Sequence, residues 1–243
     1  MSNKVVIITG AAGGIGQATA RICAAEGASL VLGDLASPAL SELEDLGAPE
    51  ARPLIVPTDV AKLSDCQALA NAALDRFGRI DVLINTAGIL QGAFVPVEEL
   101  DEAIFERVVD VNLAGSFRMG KAVASAMKRA GHGTIILIAS GAGVRGGSSS
   151  VAYGSSKGAV HGLAMVLEAQ LASFGIRVND VCPGAVDTPM KRQNVIDAAN
   201  AAGRDPQTAL ANAGLVDPAG IGKILAFLAS DEAAYVRGTI FTR

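Results

Sequence analysis

The stretch Thr9-Gly10-Ala11-Ala12-Gly13-Gly14-Ile15-Gly16 follows a short apolar run at residues 5–8 and decides the fold class of the chain. The run predicts a buried strand, and residues 14–26 predict a helix. Glycines at G-x-x-x-G-x-G spacing let the backbone approach a pyrophosphate closely, and the first amides of the following helix donate to it. The stretch therefore predicts a strand, turn and helix that bind a dinucleotide through Gly10, Gly13, Gly14, Ile15 and Gly16.

Short apolar runs alternate with longer helical segments along the rest of the chain. Continuously apolar strands separated by helices are typical of a parallel sheet that is covered on both faces. We expect an α/β fold, a doubly wound parallel sheet of about seven strands in a single domain over residues 1–243. Predicted strands are 5–9, 29–33, 54–57, 81–85, 134–139, 176–181 and 238–242, and predicted helices are 14–26, 62–77, 101–129, 151–174 and 218–229.

Composition limits the classes of partner. Half of the 243 residues are hydrophobic, 18% are charged and the net charge is −4, without a Lys/Arg cluster. Nucleic acid and anionic membrane are therefore not expected partners. So few charges on so apolar a chain indicate that some surface is covered in a homo-oligomer.

The cysteines and histidines point away from disulfides and metals. Cys23, Cys66 and Cys182 are odd in number and have no C-x-x-C spacing, and the chain has two histidines. We interpret the cysteines as reduced thiols and expect no metal site. The first apolar run is too short for a signal peptide, so the expected location is the cytoplasm.

Asp34, at the end of the second predicted strand, indicates which dinucleotide binds. It lies eighteen residues after Gly16, where an acidic residue accepts hydrogen bonds from both adenosine ribose hydroxyls. A carboxylate there repels a 2′-phosphate, and no Arg or Lys stands at Ala12, Gly13, Leu35 or Ala36. The sequence predicts NAD rather than NADP, with Leu35 beside the ribose.

Tyr153 and Lys157 are the residues best suited to proton transfer. Residues four apart on a helix share a face, so both side chains point into one pocket. A phenol with a pKa near 10 is a poor acid–base catalyst at neutral pH, and a neighbouring ammonium lowers that pKa. Ser140 lies thirteen residues upstream of Tyr153.

With these residues in place, the chain resembles the short-chain dehydrogenase/reductase family over essentially its whole length. The T-G-x-x-x-G-I-G turn, Asp59-Val60, Asn85-Thr86-Ala87-Gly88, Asn112, the set of Ser140, Tyr153 and Lys157, and Pro183-Gly184-Ala185-Val186-Asp187-Thr188-Pro189-Met190 occur in the family's order. Thr86 stands where the family has Asn, and residues 238–243 lack its V-D-G-G-like turn.

The resemblance implies a Rossmann-like fold and an alcohol–ketone oxidoreductase. Tyr153 would exchange a proton with the substrate oxygen, and Ser140 would hold that oxygen. Lys157 would bind the nicotinamide ribose and lower the pKa of Tyr153, while Asn112 would hold a water near Lys157. Further NAD contacts are implied at Asp59, Val60, Asn85, Ala87, Gly88, Pro183, Gly184, Val186 and Thr188. The family's long helices, 101–129 and 151–174 here, imply a dimer or tetramer.

The substrate is the least determined feature of the sequence. Three loops, 89–97, 141–152 and 185–215, would form its pocket, the last as a mobile, Ala-rich lid. Arg145, Lys191 and Arg192 are the only nearby cations, and solvation explains them, so we expect an uncharged, moderately apolar secondary alcohol or ketone. Two alternatives stay open: a non-catalytic NAD(H)-binding sensor or regulator, and a 3-oxoacyl thioester reductase.

Overall fold

The computed structural model describes residues 1–35, 38–47 and 52–242. This part of the chain forms one parallel sheet of seven strands in the order β3-β2-β1-β4-β5-β6-β7. The strands are β1 Val5–Thr9, β2 Ser29–Asp34, β3 Leu54–Pro57, β4 Val82–Asn85, β5 Gly133–Ile138, β6 Ile176–Cys182 and β7 Gly238–Phe241. Each lies within a residue or two of its predicted position, and the predicted fold class is confirmed.

Alternating residues of the central strands face opposite sides of the sheet. On β1, Val5 and Ile7 belong to one hydrophobic core cluster, and Val6 and Ile8 belong to the other. All four side chains are at most 4% exposed. Burial of each such side chain contributes about 1.5–3 kcal/mol, so both faces must be covered.

Helices cover the two faces. They are α1 Gly14–Ala25, α2 Pro38–Ser41, α3 Leu63–Phe77, α4 Glu102–Val109, α5 Gly115–Ala130, α6 Gly141–Val144, α7 Val151–Leu171, α8 Pro189–Ala201, α9 Pro206–Ala211 and α10 Pro218–Ala229. α1 packs against α10 on one face, and α3 packs against α5 on the other. Among the described residues, no helix is both long and apolar enough to span a membrane.

The predicted helix over 101–129 is interrupted. α4 and α5 are joined by a π-helical turn, Asp110–Ala114, which carries Asn112. The Ser116 hydroxyl donates to the Asn112 carbonyl at 2.6 Å within this wider turn. Such turns arise when one residue is added to an α-helix, and here the turn aims the Asn112 side chain away from the helix axis.

Residues 185–215, predicted as a loop, are largely helical. Thr188 caps α8, accepting from Lys191 N at 3.2 Å, and Asp205 caps α9, accepting from Thr208 N at 2.7 Å. A proline follows each cap, the arrangement that starts helices most readily. The apolar residues of α8 do not form one stripe, which is why periodicity gave no sign of this helix.

Candidate active site

The glycine turn after β1 forms a cradle that side chains would fill. A Cβ on Gly16 would lie 2.1 Å from the Gly10 carbonyl oxygen, and one on Gly10 would lie 2.6 Å from Ala87 N. Gly10 also has φ +66°, a left-handed conformation. Gly13, the N-cap of α1, has no side chain to cap the first amides. The turn therefore fits a pyrophosphate, whose oxygens can accept hydrogen bonds from those amides.

The segment after β4 braces this turn from the neighbouring strand. Thr86 Oγ1 donates to Thr9 O at 2.6 Å, and it is also 3.2 Å from Gly10 O. The residue that departs from the family pattern thus holds the first half of the glycine turn. Asn85 is 2% exposed, accepts from Thr9 Oγ1 at 2.5 Å and donates to Ser116 Oγ at 2.9 Å. The structure therefore places Asn85 behind the cleft rather than in its lining.

Asp34 lies at the far end of the cleft with its carboxylate fixed by backbone amides. Oδ2 accepts from Ala12 N at 2.8 Å, and Oδ1 accepts from Leu35 N at 2.7 Å. Each oxygen has a second lone pair free for a ligand hydroxyl. Among the described residues of the lining, no cation adjoins Asp34, and Ala36 lies outside the described residues.

The cleft has a volume of about 470 Å³ and contains most of the predicted cofactor residues. Its lining includes Gly10, Gly13, Gly14, Ile15, Gly16, Asp34, Leu35, Asp59, Val60, Ala87, Gly88, Tyr153, Lys157 and Thr188. Sequence reasoning missed Thr58, Ile89, Arg107, Val111 and Ile138, which also line it. Thr58 and Ile89 follow strands, and the other three lie in helices or strands, so no local motif marked any of them.

A second cavity of about 330 Å³ shares Tyr153 with the cleft. The predicted residues Ser140, Pro183, Gly184 and Val186 line this second cavity and not the first. Tyr153, Ile15, Ile138, Thr188 and Met190 line both. Tyr153 therefore stands where the two cavities meet, and we call the second one the substrate cavity.

Capping interactions fix the positions of Tyr153 and Ser140. Ser150 caps α7, accepting from Tyr153 N at 3.1 Å, and its hydroxyl donates to Gln91 O at 2.6 Å. Ser140 follows β5 and accepts from Ala142 N at 3.2 Å. Its side chain also acts on Tyr153, where it lowers the pKa of the phenol. A substrate oxygen at this point can contact both hydroxyl groups.

The pKa of Tyr153 moves opposite to the sequence-based expectation in the ligand-free chain. Burial raises the pKa of the phenol, and the hydrogen bond with Ser140 offsets this only in part. Burial also lowers the pKa of Lys157 from 10.5 to about 8. The Lys157 Nζ donates to Ile138 O at 2.6 Å and lies 5.8 Å from the centre of the Tyr153 ring. The ammonium is directed at a carbonyl rather than at the phenol oxygen. Desolvation therefore decides the direction of the Tyr153 pKa shift.

Asn112 is buried next to Lys157 and is bonded to protein atoms on all sides. Its Oδ1 accepts from Ile89 N at 2.8 Å, and its Nδ2 donates to Ile89 O and Ser156 Oγ, both at 2.9 Å. A Cβ on Gly88 would lie 3.1 Å from Asn112 Oδ1 and 3.3 Å from Lys157 Nζ. Gly88 therefore lets the backbone pass close to these two polar atoms, where a side chain would crowd both.

All three loops predicted to form a substrate pocket contribute to the wall of the second cavity. Leu90, Gly141, Ser148 and Met190 represent all three loops in the cavity wall. The loops are also tied together, since Phe94 N donates to Ser149 O at 2.7 Å and Asn194 Nδ2 donates to Ser149 Oγ at 2.8 Å. The wall is thus a connected surface of mostly small and apolar residues.

Comparison with known proteins agrees with this geometry. The short chain dehydrogenase family profile matches residues 4–199. The chain is 38% identical to cis-4-hydroxycyclohexanecarboxylate dehydrogenase of Sinomonas cyclohexanicum, with 98% of this chain and 94% of that protein covered. It is 34% identical to the 3-oxoacyl-(acyl-carrier-protein) reductase FabG of Thermotoga maritima, with coverage of 99% and 96%.

Solved structures are similar as well. NAD+-bound xylitol dehydrogenase superimposes with a TM-score of 0.91 at 32% identity, covering 99% of this chain and 97% of that one. An actinorhodin polyketide ketoreductase variant with NADPH superimposes with a TM-score of 0.92 at 31% identity, covering 100% and 97%. These two structures contain different nicotinamide cofactors.

Proposed function

The chain belongs to the short-chain dehydrogenase/reductase family of oxidoreductases, and from that premise we propose that it interconverts a secondary alcohol and its ketone with NAD. The observation that carries the proposal is the position of Tyr153. It lies at the junction of a cleft that fits a dinucleotide and a separate, mostly apolar cavity. Both sites would lie in this one domain.

The chain's own residues handle the proton and the position of the substrate oxygen. A nicotinamide held in the cleft, with Lys157 on its ribose, would supply the acceptor for the hydride of the carbinol carbon. The Tyr153 phenolate accepts the hydroxyl proton as the C–O bond becomes a carbonyl, and in the reverse direction the phenol returns it. Ser140 donates a hydrogen bond to the same oxygen. Lys157 lies beside Asn112 and Gly88 and would bind the nicotinamide ribose.

NAD is proposed over NADP because of the charge at the adenosine end. Both oxygens of Asp34 are anchored by backbone amides, so the carboxylate cannot easily turn away from a ligand. A 2′-phosphate there would face a fixed negative charge, and no Arg or Lys stands at Ala12, Gly13 or Leu35 to compensate it. A ribose hydroxyl instead donates to the free lone pairs.

The proposed substrate is a secondary alcohol or ketone with a moderately apolar body. The reacting end meets Tyr153 and Ser140, and Leu90, Val186 and Met190 are among the apolar walls. The relative from Sinomonas is named for an alicyclic hydroxy acid, which supports placing alicyclic alcohols in any first panel. The similarity to FabG supports a second candidate function, reduction of a 3-oxoacyl thioester.

We also propose a cytoplasmic homo-oligomer, a dimer or tetramer formed through α5 and α7. Phe117 on α5 is 48% exposed, and Met165 and Val166 on α7 are 60% and 55% exposed. Large apolar side chains on two long neighbouring helices are typical of a helix-to-helix subunit interface.

The test is absorbance at 340 nm with NAD or NADP and a panel of aliphatic, alicyclic, aromatic, sugar and steroid alcohols. The reverse panel contains ketones and a 3-oxoacyl thioester. Turnover with NAD that disappears in Tyr153→Phe is the expected result. Tight NADH binding without any turnover would instead favour the sensor, and turnover of the thioester alone with NADPH would favour the second candidate.

A further inference from the structure

Lys191 is the only charged side chain that lines the substrate cavity among the described residues. It lies in the first turn of α8 and is half-buried. No ion pair involves it within the described ranges. A cation at a cavity wall without a carboxylate partner is an uncommon arrangement, because a partly buried ammonium is favoured when an opposite charge is near.

The neighbouring residue shows how a solvated cation in this helix behaves. Arg192 is exposed, and its guanidinium makes two bonds to the Asp187 carboxylate, at 2.5 and 2.7 Å. These bonds raise the pKa of Arg192 and lower the pKa of Asp187. The sequence gives no reason to distinguish Lys191 from Arg192, but the structure does. Arg192 is neutralised at the surface by Asp187, whereas Lys191 lines the substrate cavity.

Two further groups near Lys191 favour an anion. The Ser149 hydroxyl accepts from Asn194 Nδ2, which leaves its own proton available to donate. Both Ser149 and Asn194 line the same cavity as Lys191. Lys191 also lies at the N-terminal end of a helix of thirteen residues, where the backbone dipole adds to the attraction for negative charge.

Lys191 also lines another cavity, which contains a carboxylate that could compete for its ammonium. It has a volume of about 620 Å³ and includes Asp205. The Asp205 carboxylate, however, accepts from the backbone amide and the hydroxyl of Thr208, both at 2.7 Å, as the cap of α9. Arg204 lines this other cavity too. No ion pair joins Asp205 to Lys191 among the described residues, so Lys191 is left for a ligand.

We propose that the substrate carries a carboxylate at the end remote from its carbinol, and that Lys191, assisted by Ser149, binds it. This inference rests on the proposed function and names its substrate class as a hydroxy acid or keto acid with an apolar body. Lys191 is a specificity-determining residue that takes no part in proton transfer. From the sequence alone we expected an uncharged substrate, since solvation explained Lys191 and Arg192 equally well.

The test compares two matched probes, an alicyclic hydroxy acid and its primary amide, in four proteins. These are the wild type, Lys191→Gln, Arg192→Gln as the control at the surface, and Tyr153→Phe. We expect kcat/KM for the acid to exceed that for the amide by about tenfold or more in the wild type and in Arg192→Gln. Lys191→Gln should lose this ratio while it keeps its activity on the amide.

Binding provides a readout that does not depend on turnover. In Tyr153→Phe with NADH present, calorimetry with the keto acid and its amide should show the same preference for the acid. The double variant with Lys191→Gln should lack that preference. An unchanged ratio in Lys191→Gln, or a preference for the amide in the wild type, overturns the inference and leaves the proposed function standing. Failure of the wild type to turn over any alcohol or ketone overturns both.

Discussion

Lys157 is a buried ammonium without a carboxylate partner among the described residues, and its replacement by Met should change how stability depends on pH. The side chain is 4% exposed, and its one hydrogen bond goes to Ile138 O at 2.6 Å. Burial lowers its pKa from 10.5 to about 8. Between these values the unfolded chain holds a proton that the folded chain has released. The free energy of unfolding therefore rises with pH across this window. Below pH 8, where both states hold the proton, the whole cost of burying the charge lowers the free energy of unfolding.

The size of the effect follows from the two pKa values. A lowering from 10.5 to about 8 disfavours the folded state by about 3 kcal/mol at pH 7. At pH 9.5 the folded state is deprotonated and the unfolded state is still mostly protonated, so about 1 kcal/mol remains. The wild type should therefore gain about 2 kcal/mol from this one group between pH 7 and pH 9.5. Lys157→Met lacks that gain.

The measurement is urea unfolding of the ligand-free proteins at both pH values and at one protomer concentration, since oligomers unfold in a concentration-dependent way. The Met variant also leaves the Ile138 carbonyl without its donor, but that cost is the same at both pH values. The informative quantity is thus how much the difference in free energy of unfolding between the wild type and Lys157→Met changes from pH 7 to pH 9.5. Lys223→Met, at an exposed position on α10, is the control and should follow the wild type. If the difference between wild type and Lys157→Met varies by less than about 0.5 kcal/mol, the reasoning from burial is refuted.

Three further predictions concern the cofactor cleft and the subunit surface. Gly16→Ala should abolish NADH binding, measured by calorimetry, and lower the melting temperature, because its Cβ would lie 2.1 Å from Gly10 O. The control is Gly162→Ala in α7, where an added Cβ would meet nothing within 4 Å outside its own stretch of helix, and it should leave NADH binding unchanged. Asp34→Gly combined with Leu35→Arg should shift the NADP-to-NAD ratio of kcat/KM by about a hundredfold toward NADP, measured at 340 nm, and an unchanged ratio would show that Asp34 does not select the cofactor. Met165→Lys, at a side chain 60% exposed, should lower the mass found by light scattering, whereas a monomeric wild type would contradict the proposed oligomer.

Much of the fold and the cleft could be predicted because local patterns determine them. Val5 to Ile8 are apolar without a break, which a strand buried on both faces requires, and Gly10 and Gly16 stand where a Cβ would collide with the backbone. Such signals are complete within a few residues. The placement of Gly10, Asp34 and Tyr153 around one cleft follows from them, because the carboxyl ends of parallel strands meet at one edge of the sheet.

The features that sequence reasoning missed depend on contacts between distant segments. The π-helical turn at Asp110–Ala114 brings Asn112 to Ile89, a segment that follows another strand. The direction of the Tyr153 pKa depends on where the Lys157 ammonium points, and it points at a carbonyl of β5. Neither relation has a signature in the local sequence.

The polar centre of the site is shaped as much by small residues as by reactive ones. Gly88 lets the backbone approach Asn112 Oδ1 and Lys157 Nζ, which a side chain would crowd. Within the part of the chain that the structure describes, Lys157 lacks a carboxylate that would neutralise it. A carboxylate beside Lys157 would relieve the cost of its burial but would also occupy the donors that a ligand needs. A buried cation with one carbonyl acceptor and no counter-charge gains further hydrogen bonds when a ligand supplies oxygen atoms, so the cost of burying Lys157 and its capacity to bind a ligand have the same cause.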